Sequence, residues 1–426
     1  MRSAPIALCL LFAAACQIPG TARVGAVADT SLLLPGARSG PDPNRPQACA
    51  RRRAQLARSL RSGLALFAAG EEGSGRFQAQ VDFYWLTGLN EPEACLLLFF
   101  EEGEIILERL FLPPASPRKA LWDGARLSPG RVASEATGLG SVVALDELAS
   151  DLGVLLTAAP EVFVLAEDED QLEGFEVKSK SPRAALSRLQ AHLDPSQIAA
   201  LETAVQITLA SLADAFVVAT PGAYEFQAEA AIEGGFRRRG AEFRAFPSIC
   251  GSGPMGCVLH YRANQRQLED GDLLLLDVGA KYAGLCADVT RTIPVSGRFT
   301  ARQRELYRLV LATQALCESA LAPGITLSEL QRIAEKSFAD AGYGDAFRHG
   351  VSHHLGIRTH DAPGFRGALE PGMVVTLEPG LYLVDEGIGI RIEDDYLIEE
   401  NGTRKLSAAL PSDPERLEAY IARLRR

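Results

Sequence analysis

The run GDLLLLDVGAKYAGLCADVTR, residues 271–291, constrains this chain more than any other stretch. Leu273 to Val278 is a continuous apolar run bounded by Gly271 and Gly279, the pattern of a strand covered on both faces. Asp277 lies at the end of that run, where an unpaired carboxylate is costly to bury. A turn over Gly279 to Gly284 and a second strand carrying Asp288 would fold back as a hairpin and bring the two acids together. Two buried carboxylates side by side repel unless something positive lies between them. A metal ion meets that need, so this stretch predicts part of a carboxylate-rich metal site.

With 426 residues the chain exceeds one ordinary core, and two domains follow as the prior. Its charged and apolar fractions, 23% and 47%, are those of a soluble globular protein and exclude wholesale disorder. A formal net charge of -11 argues against a nucleic-acid partner, which needs clustered Lys and Arg. The N-terminus, MRSAPIALCLLFAAACQIPG, has one positive charge and then an apolar run from Ala4 to Cys16 that is too short to span a bilayer. Residues 1–25 therefore read as a secretory signal, and the protein as exported: periplasmic, extracellular or membrane-anchored. Ala13-Ala14-Ala15-Cys16 has the form of a lipoprotein processing site with Cys16 as the lipidated residue, although the usual Leu three places earlier is missing. An uncleaved N-terminus on a cytosolic enzyme is the competing reading. Residues 26–47, rich in Gly, Pro, Ala and Arg, read as a linker.

From Ala48 the periodicity predicts a helix with Leu56, Leu60 and Leu64 on one face and Arg51, Arg52, Arg53, Arg58 and Arg61 elsewhere. A surface helix packed by one stripe explains it better than a membrane-surface helix. Strand-like runs at 83–86, 95–100, 104–112 and 162–166, with a helical pattern at 145–152, predict a first α/β domain over 48–182, closed by the polar KSKSPR. Nothing in it clusters His, Cys or acids usefully, so its role reads as structural. The second domain, 190–426, opens with a helix capped by Asp194, carrying Pro195 in its first turn and running to about Val218. A helix over 224–239 stops at Gly240, and Thr300 with Gln303 and Thr326 with Glu329 form capping boxes. Strands return at 373–377 and 388–392. Helices outside and strands inside describe an α/β (α+β) layer fold.

Six cysteines follow the signal, and their spacing selects no disulfide pairing. Cys95 and Cys286 read as small buried hydrophobes. Cys250, Cys257 and His260 imitate a zinc cluster but have no fourth ligand at suitable spacing. Of six histidines, His349, His353, His354 and His360 crowd into RHGVSHHLGIRTHD, while His192 reads as a surface residue. Neutral imidazole is a common metal ligand and can stabilise transition-state charge. TLEPGLY sets Glu378 after a strand and GIRIEDD sets Glu393 at the end of another. Asp277, Asp288, one His, Glu378 and Glu393 make a mostly oxygen site for Mn, Fe, Co or Zn. Four carboxylates carry more charge than one divalent ion offsets, so two ions balance better.

The motifs GPMGCVLHY, LLLLDVGAKYAGLCADVTRT, HGVSHHLGIRTHD, TLEPGLY and GIGIRIEDD occur in this order across the C-terminal half, which resembles the Xaa-Pro aminopeptidases (aminopeptidase P) within the pita-bread metallopeptidases. VDFYWLTGLNEPEACLLL and LFLPPASPRKALWDG resemble that family's N-terminal domain. The resemblance implies a pita-bread catalytic domain preceded by a smaller α/β domain. It implies Asp277 on one metal, Asp288 and Glu393 bridging two, and His353 with Glu378 on the other. His354 occupies a place where an aromatic often stands. His260 and His360 would contact substrate and stabilise the tetrahedral intermediate, His349 would line the pocket, and Tyr382 and Arg391 would orient the cluster. The implied reaction is attack on the Xaa-Pro bond by a hydroxide shared between two divalent ions, Mn2+ foremost and Zn2+, Co2+ or Fe2+ as alternatives, with Glu378 shuttling the proton. Partners would be peptides with proline second and further copies of the chain. Prolidase, which cuts only dipeptides, is the rival activity. A metal-free pita-bread binding protein is a more distant one.

Overall fold

The computed structural model describes residues 45–73 and 75–426. The expected signal, Cys16 and most of the expected linker lie outside the described residues. The first helix starts at Arg45, inside the expected linker, and runs Arg45–Leu60. Two expectations for it fail: Leu64 lies past its end in the strand Gly63–Ala68, and Arg53 is wholly buried, donating to Glu108 Oε2 at 2.8 Å and to the Leu86 carbonyl at 2.9 Å.

The first half builds a six-stranded mixed sheet in the order Val142–Ala144, Glu104–Leu112, Cys95–Glu101, Gly63–Ala68, Val162–Val164, Ser179–Lys180. The three central strands pair antiparallel and the outer ones parallel. Burial on both faces explains why the Cys95–Glu101 strand is apolar as far as Phe100. Leu96, Leu98 and Phe100 enter the core on one face, while Cys95, Leu97 and Phe99 enter that on the other. The run at 83–86 is not a strand. It lies in a helix, Val81–Thr87, closed by Gly88 in the left-handed region at φ 72°. A short apolar run has no decisive period, and here the left-handed glycine marks the helix end.

In the second half the caps form as the sequence predicts. Asp194 accepts from the Ser196 and Gln197 N–H groups at the head of helix Pro195–Val218. Thr300 and Thr326 cap Ala301–Ala320 and Leu327–Asp340 in the same way. These helices and Glu225–Arg238 cover small antiparallel sheets. One sheet sets Leu273–Val278 between Ile249–Ser252 and Val289–Pro294. Another pairs Val374–Leu377 with Asp394–Glu399, and Gly380–Leu383 pairs with Ile388–Arg391. The turn expected at Gly279 to Gly284 is instead a small hairpin, Ala280–Tyr282 with Leu285–Cys286, and Asp288 precedes its strand rather than lying in it. Gly279 is required there, because a Cβ would come 1.8 Å from the Ala287 carbonyl oxygen.

The six cysteines at 49–317 are free thiols, five of them buried. Cys250 sits wholly inside the Ile249–Ser252 strand, which removes it from any zinc cluster with His260.

Candidate metal centre

Antiparallel register puts Asp277 opposite Thr290 and Val278 opposite Val289, so Asp288 falls beside the end of the Asp277 strand. The Glu393 N–H donates to the Thr290 carbonyl at 3.1 Å, bringing in the third acid from the neighbouring sheet. The histidine loop is tied to the Val374–Leu377 strand at both ends: Thr376 N–H donates to the His353 carbonyl at 3.0 Å and Glu378 N–H to the Val351 carbonyl at 2.9 Å. Glu378 and His353 are thereby fixed to each other. Asp288, His353 and Glu393 offer ligand atoms within 4.8 Å of one another.

The tautomer of His353 decides what this cage can hold. Its Nδ1 is 3.1 Å from the His354 carbonyl and must donate there, which leaves a lone pair on Nε2. That Nε2 faces Glu378 Oε1 at 3.5 Å and Asp288 Oδ2 at 3.6 Å. Burial, then neighbouring His360, pushes the His353 pKa down to about 3, so the ring is neutral and these approaches are not ion pairs. Three electron-rich atoms aimed at one point without a donor between them fit a cation. Asp277 adds a buried Oδ1 with no hydrogen-bond partner. Burial, then the neighbouring acids Glu393 and Asp277, drives Asp288 well above the carboxylate range. Burial and then Glu378 do the same to Glu393, while burial lifts Glu378 to about 8. The donor set fits divalent metal.

A fixed frame surrounds the acids. Arg391 donates through Nη2 to Asp277 Oδ2 and through Nη1 to the Tyr382 hydroxyl at 2.8 Å. That hydroxyl donates to His349 Nε2 at 2.7 Å, and His349 Nδ1 donates to the Gly350 carbonyl at 2.9 Å. Burial and Arg391 hold His349 neutral, with its pKa at about 4. His360 stacks on His353 with ring centres 4.2 Å apart. His260, on the loop after residues Gly253–Cys257, is exposed and close enough to affect the charge of both His349 and His360. Asp277, Asp288, His353, Glu378 and Glu393 thus lie together with Arg391, Tyr382, His349 and His360 around them, and His260 stands on the exposed loop beside them. His354 faces away, buried with its ring edge-on to Phe365.

Four residues are absent from the sequence-based expectations. Thr290 Oγ1 donates to Glu393 Oε2 at 2.6 Å, and Asp395 Oδ2 accepts from the Asp288 N–H at 3.2 Å. Arg291 neutralises Asp394 at 2.7 Å, both fully buried. Their signal was adjacency: two are neighbours in DVTRT and two in IEDD, where each motif's ligand drew the attention.

Two family models match the chain: Metallopeptidase family M24 over residues 199–400 and Aminopeptidase P, N-terminal domain, over 49–163. The Xaa-Pro aminopeptidase of Escherichia coli is 33% identical over 432 residues, covering 88% of this chain and 98% of that relative. The chain belongs to the aminopeptidase P family. The structure of Escherichia coli aminopeptidase P with the inhibitor Pro-Leu superposes with a TM-score of 0.82 at 32% identity, covering 89% of this chain and 99% of that one. A zinc-substituted form of the Escherichia coli enzyme in complex with product matches equally, at TM-score 0.82, 32% identity and the same coverage of 89% and 99%. As a family member the chain is an M24 metallopeptidase with the pita-bread fold and a dinuclear metal site.

Proposed function

We propose that this aminopeptidase P family member releases the N-terminal residue from peptides with proline second, with Mn2+ as its native metal. The observation that carries the reading is the His353 Nε2 lone pair converging with the Asp288 and Glu378 carboxylates on a point that a cation would satisfy. Asp277 would hold one ion, Asp288 and Glu393 both, and His353 with Glu378 the other. Two such cations would offset the acids and acidify a shared water at neutral pH. A mostly oxygen donor set favours manganese over a structural zinc.

The chain's own residues do the rest. Glu378 would take a proton from the attacking water and pass it to the leaving proline nitrogen. His260 would donate to the developing oxyanion, and His360 would hydrogen-bond the carbonyl beyond the scissile bond. The Arg391–Tyr382–His349 chain locks the His349 ring as a neutral wall of the pocket. Export, a lipid at Cys16 and self-association belong to the same reading; an intact Met1 on the mature protein would exclude processing. The deciding assay compares Xaa-Pro with Xaa-Pro-Xaa at added manganese. Turnover of the tripeptide supports the aminopeptidase, and turnover of the dipeptide alone assigns the chain to prolidase.

A further inference from the structure

The loop bearing His353 and His360 has little regular structure of its own, yet its middle is built into the first domain. Ile357 is 3% exposed and belongs to the first-domain core with Phe83, Leu86 and Phe163. Arg358 reaches Asp82, which lies in the helix Val81–Thr87 of that domain. Asp82 is 2% exposed and takes its donors from both halves of the molecule. Its Oδ2 accepts from Arg358 Nη2 and Arg183 Nη1, each at 2.7 Å, and its Oδ1 accepts from Gln190 Nε2 at 2.7 Å. Arg358 Nη1 also donates to Gln190 Oε1 at 3.0 Å, so the guanidinium is held at two corners. Asp361 closes the loop by accepting from the Ile357 N–H at 2.8 Å.

We infer that Asp82 is a positioning residue of the reaction, acting through Arg358 to hold the loop that carries His353 and His360. The inference rests on the functional reading above, because it supposes that both histidines serve the hydrolysis. Arg358 lies between the two, and among the described residues the His360 ring is fixed by its tilted packing on His353. Arg358 grips the middle of the loop, so losing that grip would disturb the segments leading to both histidines. Misplacing a reacting group by about 1 Å costs on the order of 100-fold.

Arg183 provides the control. It is the second cation on the same carboxylate, but it comes from helix Arg183–Gln190 and does not touch the histidine loop. Both variants, Arg358→Ala and Arg183→Ala, remove one charge from Asp82, so a role confined to neutralising Asp82 predicts the same effect on kcat from each. The inference predicts that Arg358→Ala lowers kcat on an Xaa-Pro-Xaa peptide by roughly 10- to 100-fold with a much smaller change in KM. Arg183→Ala should stay within about twofold of wild type. Equal losses in the two variants, or an unchanged kcat in Arg358→Ala, would overturn it. Should Arg358→Ala not fold, Arg358→Lys and Arg183→Lys are compared by the same criterion, since lysine keeps the charge but not the two-cornered grip. A wild-type enzyme inert towards Xaa-Pro-Xaa would reject the functional reading instead, so the two failures are distinguishable.

Discussion

Asp82 and Asp288 are both buried acids, 2% and 5% exposed, and their surroundings are opposite. Burial pushes the Asp82 carboxyl up, but Arg358 and Arg183 overcome it and hold the group below the usual carboxylate range. Around Asp288 the neighbours that follow burial are all acids, Glu393, Asp277, Asp395 and Glu378, and every one raises it further. The contrast repeats over two consecutive residues. Asp394 receives Arg291 and Lys405, each at 2.7 Å, while Glu393 beside it gets one hydroxyl from Thr290. This chain can neutralise a buried acid a residue away from the site. Leaving Asp288 and Glu393 without cations of their own is therefore selective, and it reserves the space between them for an ion.

The sharpest way to break that contrast is Asp288→Ala. Loss of a carboxylate shared by both ions should cut kcat by roughly 10³-fold and lower the bound metal measured after dialysis. Wild-type turnover in this variant would end the two-metal reading. The first domain gives the counterpart. Asp82→Ala leaves two arginines without their acid and should cost about 3 kcal/mol of folding stability in a denaturant titration, the low end for a buried pair because both arginines keep some solvent contact. Its pH signature has a definite sign. The folded pKa of Asp82 lies below the unfolded one, so its contribution is complete above about pH 4 and is lost as pH falls through the folded value. The thermal midpoint should therefore fall in acid, and Asp82→Asn should flatten that part of the curve.

Metal removal tests the other side with the protein intact. At a free ion concentration of about 100 times Kd, binding adds about 2.7 kcal/mol, so a chelator should lower the thermal midpoint and manganese restore it. The comparison sharpens with Asp288→Asn. Relieving like-charge repulsion should make the metal-free variant at least as stable as metal-free wild type, while the gain on adding metal shrinks. A variant that loses stability without metal would show that the acids are already satisfied in the empty cage.

Much of the catalytic half was legible because its signals are local. Asp194, Thr300 and Thr326 cap helices a few residues away, and the 273–278 strand is bounded by its own glycines. The acids and histidines were legible because metal chemistry restricts residue type. Asp82 was not, because its partners lie 101 and 276 residues along the chain and a lone acid in VDFYWLTG has no local pattern. The first domain therefore read as structural, whereas its helix Val81–Thr87 reaches the histidine loop. Arg53 was misplaced for a related reason: helical periodicity gives a face, and only the fold brings Glu108 to it.

Thr290 gives the smallest and most selective test. Its Oγ1 donates to Glu393 Oε2 at 2.6 Å and accepts from Arg391 Nε at 3.3 Å, so it orients a ligand without needing to touch metal. Thr290→Val keeps the shape and removes both bonds. Losing a hydrogen bond that orients a metal ligand typically costs 10- to 100-fold in metal affinity. Thr290→Val should accordingly raise the manganese concentration for half-maximal activity by about 10-fold, while kcat at saturating metal stays within about threefold. A metal titration of activity separates the two quantities. A kcat that stays low at saturating metal would mean that Thr290 shapes the reacting geometry itself, and the division between the reserved acids and the frame that orients them would have to be redrawn.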